Sequence, residues 1–187
     1  MTEITDEKIS GQLATPRDES SLTSLIDHLL QKHHAYTKTA LEELHPLLEK
    51  VVRVHGGSHP ELTELRDLYV RLRDDMHLHL MKEENILFPY IRALDAEGPV
   101  PAPHFGTVAN PIRMMIREHE TDDAILRRMM EVTNEFSLPP GACASYTSLY
   151  AGLRELVDDL VQHMYLENQF LFPKAIAKEA TALGKAT

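Results

Sequence analysis

His79-Leu80-Met81-Lys82-Glu83-Glu84-Asn85-Ile86-Leu87-Phe88-Pro89 recurs as His163-Met164-Tyr165-Leu166-Glu167-Asn168-Gln169-Phe170-Leu171-Phe172-Pro173. Both copies read His-x-x-x-Glu-x-x-x-Leu-Phe-Pro. Residues four apart on a helix project from one face, one above the other. Each copy therefore aims an imidazole nitrogen and a carboxylate at one place. Two such pairs on facing helices can hold two metal ions, provided the chain brings them to one level.

The flanking sequence reads as four long helices. The first starts near Ser21 and Thr23, either a possible cap. Leu22, Ile26, Leu29, His33, Ala40, Leu44, Leu47 and Val51 form its apolar stripe. Pro46 lies inside it and predicts a kink or a break. Gly56-Gly57-Ser58-His59-Pro60 stops it. The second helix follows Pro60 and runs to about Ala93. Gly98-Pro99-Val100-Pro101-Ala102-Pro103 and Gly106 make a long, stiff connection. The third begins at Asn110-Pro111, an N-cap with a first-turn proline, and ends before Ser137-Leu138-Pro139-Pro140-Gly141. The fourth runs from about Ala144 to about Ala177. No strand pattern competes. The expected fold is all-α, an antiparallel up-down-up-down four-helix bundle over residues 21–180, with Met1 to Ser20 a mobile polar tail.

Register then tests the motif. Residues equally far from a hairpin turn lie at one level. The midpoint of His34 and His79 falls between Gly56 and Gly57, that of His79 and His119 at Pro99, and that of His119 and His163 at Gly141. All three fall in the turns marked by glycine and proline. One histidine from each helix thus reaches one layer, and Glu83 and Glu167 add a carboxylate each. Four neutral imidazoles and two carboxylates suit iron, and manganese or zinc less specifically. Burying them without a metal would leave costly unpaired polar groups. Periodicity on the first helix favours His33 over His34, and the hairpin register does not separate them. His55 lies 21 residues beyond His34, about 31 Å along a continuous helix, and is left out. His28, His45, His59, His77 and His104 lack partners at the right level. Asp75 and Glu118 are adjacent acids that either orient the ligands or line an access path.

Composition limits the partners. A net charge of −10 over 187 residues disfavours nucleic acid and anionic membrane. The start carries no apolar leader segment and no run is long enough to cross a membrane, so the expected location is cytoplasmic. One cysteine, Cys143, rules out an internal disulfide and a cysteine-built cluster site. The sequence carries no firm oligomer signal.

The two motif copies, with one further histidine on each remaining helix, resemble the hemerythrin-like HHE cation-binding domain. The chain is similar in particular to the di-iron iron–sulfur cluster repair proteins, the RIC (Repair of Iron Centres) family. The segments that carry this are Ile26-Asp27-His28 with His34, Lys50-Val51-Val52-Arg53-Val54-His55-Gly56, Met81 through Pro89, Asn110 through Met115 with Glu118-His119-Glu120, Pro139-Pro140-Gly141-Ala142-Cys143, and Leu166 through Pro173. The resemblance selects His34 rather than His33. It implies a metal ligand set of His34, His79, Glu83, His119, His163 and Glu167, with both glutamates bridging two iron ions in a non-haem centre of a kind that can carry an oxo bridge. It implies repair of iron–sulfur client proteins damaged by nitric oxide or oxidants, with NO or O2 as the small ligand. Two other functions share such a site: an O2- or NO-binding carrier or sensor, and a reductase of NO or peroxide. Oxygen-carrying hemerythrins have a further histidine one turn before the third-helix ligand, where this chain has Met115. Longer repair proteins have an N-terminal domain with an adjacent cysteine pair, which this sequence lacks.

Overall fold

A computed structural model describes residues 21–96 and 102–184. The expected tail and residues 98–101 of the expected stiff connection lie outside the described residues. Four long helices form the bundle. Helix α1 comprises Leu22–His28, a π turn at Leu29–His34, and Ala35–His55. Helix α2 comprises Glu61–Lys82, a π turn at Glu83–Leu87, and Phe88–Asp95. Helix α3 is Ala109–Val132. Helix α4 comprises Ala144–Leu166, a π turn at Glu167–Leu171, and Phe172–Gly184.

Ser21 caps α1 through its side chain, which accepts from the Ser24 amide. Pro46 does not break the helix: Ala35–His55 runs through it, with the ring on the exposed face. Helix α4 continues past Ala177 to Gly184. The start of α3 also differs from expectation. Asn110 does not cap it, because its amide donates to the Phe105 carbonyl. Buried Glu179 from the end of α4 serves that terminus instead. It accepts from the Val108 amide at 2.9 and 3.1 Å and from the Tyr90 hydroxyl at 2.6 Å. A carboxylate there satisfies an otherwise orphaned helix N–H and faces the positive end of the dipole.

The two prolines of the repeated motif explain two of the π turns. Proline within a helix lacks an N–H, and its ring clashes with the carbonyl four residues back. Just before Pro89 the Phe88 amide reaches back five residues to Glu83, and before Pro173 the Phe172 amide does the same to Glu167. The widened turn relieves the clash. It also starts at the glutamate in both copies, so the carboxylate sits where the backbone swells toward the bundle axis.

The interior is two apolar clusters with a polar layer between them. One cluster, which includes Leu48, Leu65, Tyr69, Leu72, Leu149 and Leu153, fills the end near the first and third turns. The other, with Ile26, Phe88, Ile91, Ile112, Met115 and Phe172, fills the opposite end. Each fully buried Leu, Ile or Phe stabilises by roughly 1.5–3 kcal/mol, so both ends hold the helices in register around the layer they enclose. No helix among the described residues is long and apolar enough to cross a membrane.

Candidate metal centre

The layer contains His33, His34, His79, Glu83, His119, His163 and Glu167, all at most 3 % exposed. Ligand atoms of His34, Glu83, His163 and Glu167 all lie within 4.8 Å of one another, and so do those of His79, Glu83, His119 and Glu167. The two tetrads share both glutamates. Glu167 divides its oxygens, Oε1 lying 3.1 Å from His163 Nε2 and Oε2 lying 3.1 Å from His119 Nε2. Glu83 Oε2 faces both sides, 3.5 Å from His34 Nε2 and 3.4 Å from His79 Nε2. His79 and His119 point their Nε2 atoms at each other across 3.2 Å. Each tetrad offers two imidazoles and two carboxylates, a donor set suited to a divalent metal ion.

The fit to a cation rests on the state of these atoms. His34 Nε2, His163 Nε2 and all four oxygens of Glu83 and Glu167 are buried without a hydrogen-bond partner. Each such group costs about 1–3 kcal/mol. A cation at each tetrad would engage all of them together.

The outward nitrogens are held. His34 Nδ1 donates to Glu84 at 2.9 Å, and Lys38 grips both oxygens of that carboxylate. His79 Nδ1 donates to Glu118 at 3.1 Å, with Lys82 behind it. His119 Nδ1 donates to Asn168 Oδ1 at 3.0 Å. Such bonds fix the tautomer that leaves Nε2 free to ligate. Glu118 was a candidate from its position beside His119. Glu84 and Asn168 were missed, although each directly follows a motif glutamate. Asp75 instead faces Arg71 at 3.6 Å.

Electrostatics follow the packing. Burial opposes an imidazolium at His79, but the Glu83 carboxylate and the Glu118 hydrogen bond outweigh it and hold the group up at about 11. The hydrogen bond from His79, aided by Lys82, holds Glu118 down at about 2. His163 is also raised, its burial overcome by Glu167. Metal uptake here must displace protons from imidazole. Asp122, one turn beyond His119 on α3, is pushed up to about 6 by burial, with Asp75 adding repulsion. Its unfolded value is about 4. The folded chain therefore binds this proton more tightly, and stability is lost as pH rises through the folded value near 6. Asp122→Asn should stabilise the metal-free protein by roughly 1 kcal/mol more at pH 8 than at pH 5, read by urea denaturation. An equal gain at both pH values would show that Asp122 does not titrate in this range.

Histidine 33 resolves differently from its helical phase. The π turn Leu29–His34 adds a residue to the helical repeat and rotates His34 into the tetrad. His33 stays buried beside it, its Nδ1 2.9 Å from Asp159. His55 lies at the far end, with Nε2 3.2 Å from the sulfur of exposed Cys143. His45 stacks on Tyr69, and His59 pairs with Glu61. Between α3 and α4 a groove of about 310 Å³, lined by Ile116, Met164, Tyr165 and Asn168 among others, reaches His119.

Residues 25–175 match the family model for the hemerythrin HHE cation-binding domain. The chain belongs to the hemerythrin HHE family. Within this family it is similar to curated bacterial relatives. It is 40% identical over 151 residues to the iron–sulfur cluster repair protein DnrN of Neisseria gonorrhoeae, covering 81% of this chain and 89% of that one. It is 36% identical over 174 residues to the iron–sulfur cluster repair protein YtfE of Dickeya chrysanthemi, covering 91% and 74%. A YtfE of Escherichia coli is 36% identical over 159 residues, covering 84% and 68%. The HHE model spans the whole polar layer and both apolar clusters except Leu22.

Proposed function

We propose that this HHE protein holds two iron ions and repairs cytoplasmic iron–sulfur clusters damaged by nitrosative or oxidative stress. The observation that carries the reading is the pair of tetrads sharing Glu83 and Glu167, in a chain whose relatives are named iron–sulfur cluster repair proteins. His34 and His163 would ligate one ion, His79 and His119 the other, with both glutamates bridging. A ferrous pair would supply exchangeable iron and two reducing equivalents.

The chain's own residues set the conditions for that chemistry. Glu84, Glu118 and Asn168 orient three imidazoles. Phe88 and Phe172 lie against His34 and His119 and shield the layer from water. The groove that His119 lines would give a ligand as small as NO or O2 a route toward the layer. Met115 is buried in the apolar cluster below, one turn before His119. It provides no further imidazole, so an ion held by His79 and His119 would have fewer protein ligands than in an oxygen carrier.

The test uses an iron–sulfur enzyme inactivated by NO or peroxide. Anaerobic incubation with the ferrous-loaded protein should restore its activity faster than the same concentration of free ferrous iron. Recovery no better than with free iron would refute the repair reading.

A further inference from the structure

The two halves of the layer are related by an approximate twofold that exchanges α1 with α3 and α2 with α4. His34 corresponds to His119, His79 to His163, and Glu83 to Glu167. The orienting bonds obey the same relation: His34 donates to Glu84, the residue after Glu83, and His119 donates to Asn168, the residue after Glu167. His79 donates to Glu118, the residue before His119. By symmetry His163 should donate to the residue before His34. That residue is His33.

His33 does not accept this bond. Its ring lies near-parallel to that of His163, with centroids 5.9 Å apart, and its Nδ1 is committed to Asp159. His33 Nε2 and His163 Nδ1 are both buried without a hydrogen-bond partner. When His163 ligates through Nε2 its proton must sit on Nδ1, so binding there strands a buried donor. At His79 and His119 both Nδ1 protons already have acceptors. Glu118 places a negative charge behind His79, and Glu84 does the same behind His34, so the two positions differ by the single bond that His163 lacks.

We propose that the two metal positions are unequal, and that His33, standing where the other half has Glu118, makes the His34–His163 position the labile one. This deepens the repair reading and rests on it: the ion handed to a damaged cluster is the one beside His33, and the ion at His79–His119 stays. Losing one such orienting bond lowers affinity by about 10–100-fold. Access through the groove would predict the reverse, since the groove opens on His119.

Anaerobic titration with Mn(II), read by electron paramagnetic resonance, separates these outcomes. The first equivalent should give the six-line spectrum of an isolated ion, and the second should convert it to a coupled pair. His163→Ala should keep the tighter, isolated ion, whereas His79→Ala should keep only the weaker position. His33→Glu should tighten the second ion by about 10–100-fold, and Glu118→Ala should loosen the first by a similar factor. His33→Gln supplies a neutral acceptor if the added charge impairs folding. Equal affinities in the unaltered protein would overturn the proposal. So would tighter retention in His79→Ala than in His163→Ala, or an unchanged second affinity in helical His33→Glu and His33→Gln. Failure of the unaltered protein to bind Mn(II) or iron at all would instead overturn the metal centre itself.

Discussion

Glu83→Leu and Glu167→Leu should each lose both iron ions, not one. Each glutamate belongs to both tetrads, so either change removes an anionic donor from both positions. The magnitude decides the outcome. Two dications at the usual separation of paired metals repel by roughly 16 kcal/mol at an effective dielectric of 20. The bridging carboxylates would offset that repulsion, and among the described residues no other acid belongs to either tetrad. Leucine is close to glutamate in size and sits well in a helix, so helical content should be unchanged. Anaerobic reconstitution followed by metal analysis should give about two irons per chain in the unaltered protein and well under one in each variant. His34→Ala should retain about one. Near-full iron with intact magnetic coupling in both leucine variants would show that the glutamates do not bridge.

The repeated motif and the Gly/Pro turns were enough to bring His79, Glu83, His119, His163 and Glu167 to one layer and to leave His33 or His34 as the sixth member, because hairpin register depends on turn position and little else. What the linear pattern hid was local backbone geometry. A periodicity of 3.6 residues assigns the inner face of α1 to His33, but the π turn at Leu29–His34 shifts that phase by about one residue and brings in His34. Periodicity has no term for such a turn, and only the family resemblance selected His34, the histidine whose Nε2 lies in the tetrad. The orienting groups were hidden for another reason. Glu84 and Asn168 occupy the same place in the two motif copies but differ in charge and size, so the sequence does not mark a shared role. Their equivalence appears once the twofold of the bundle is seen. The capping of α3 by Glu179 spans 71 residues, and no local signal at Asn110-Pro111 could indicate it. Cys143 and His55 meet only because the first and third turns share one end of the bundle.

Removing the metal should lower the melting temperature by about 15–30 °C while leaving a folded helical bundle. Binding at 1,000 times Kd stabilises by about 4 kcal/mol per site, so two sites contribute roughly 8 kcal/mol. For a chain of this size each kcal/mol shifts the melting temperature by about 2–4 °C. The metal-free protein should still fold because the two apolar clusters lie on either side of the layer and do not depend on it. Its weakness is local: the carboxylates of Glu83 and Glu167 and the Nε2 atoms of His34 and His163 stay buried without hydrogen bonds. In the metal-free protein the Glu83 carboxylate is balanced by His79, which it helps to hold protonated, and removing one partner of a buried pair costs about 3–5 kcal/mol. Metal-free Glu83→Leu should therefore melt below the metal-free unaltered protein, and adding ferrous iron should not move it. Anaerobic thermal melts by circular dichroism, with and without a strong chelator, read both effects. A chelated protein that melts within a few degrees of the loaded one would mean that the layer is satisfied without metal. A metal-free leucine variant that melts above the unaltered protein would mean that Glu83 only strains the empty layer. The expected lower melt would mean that the same carboxylate serves two partners, an imidazolium when metal is absent and a cation when it is bound.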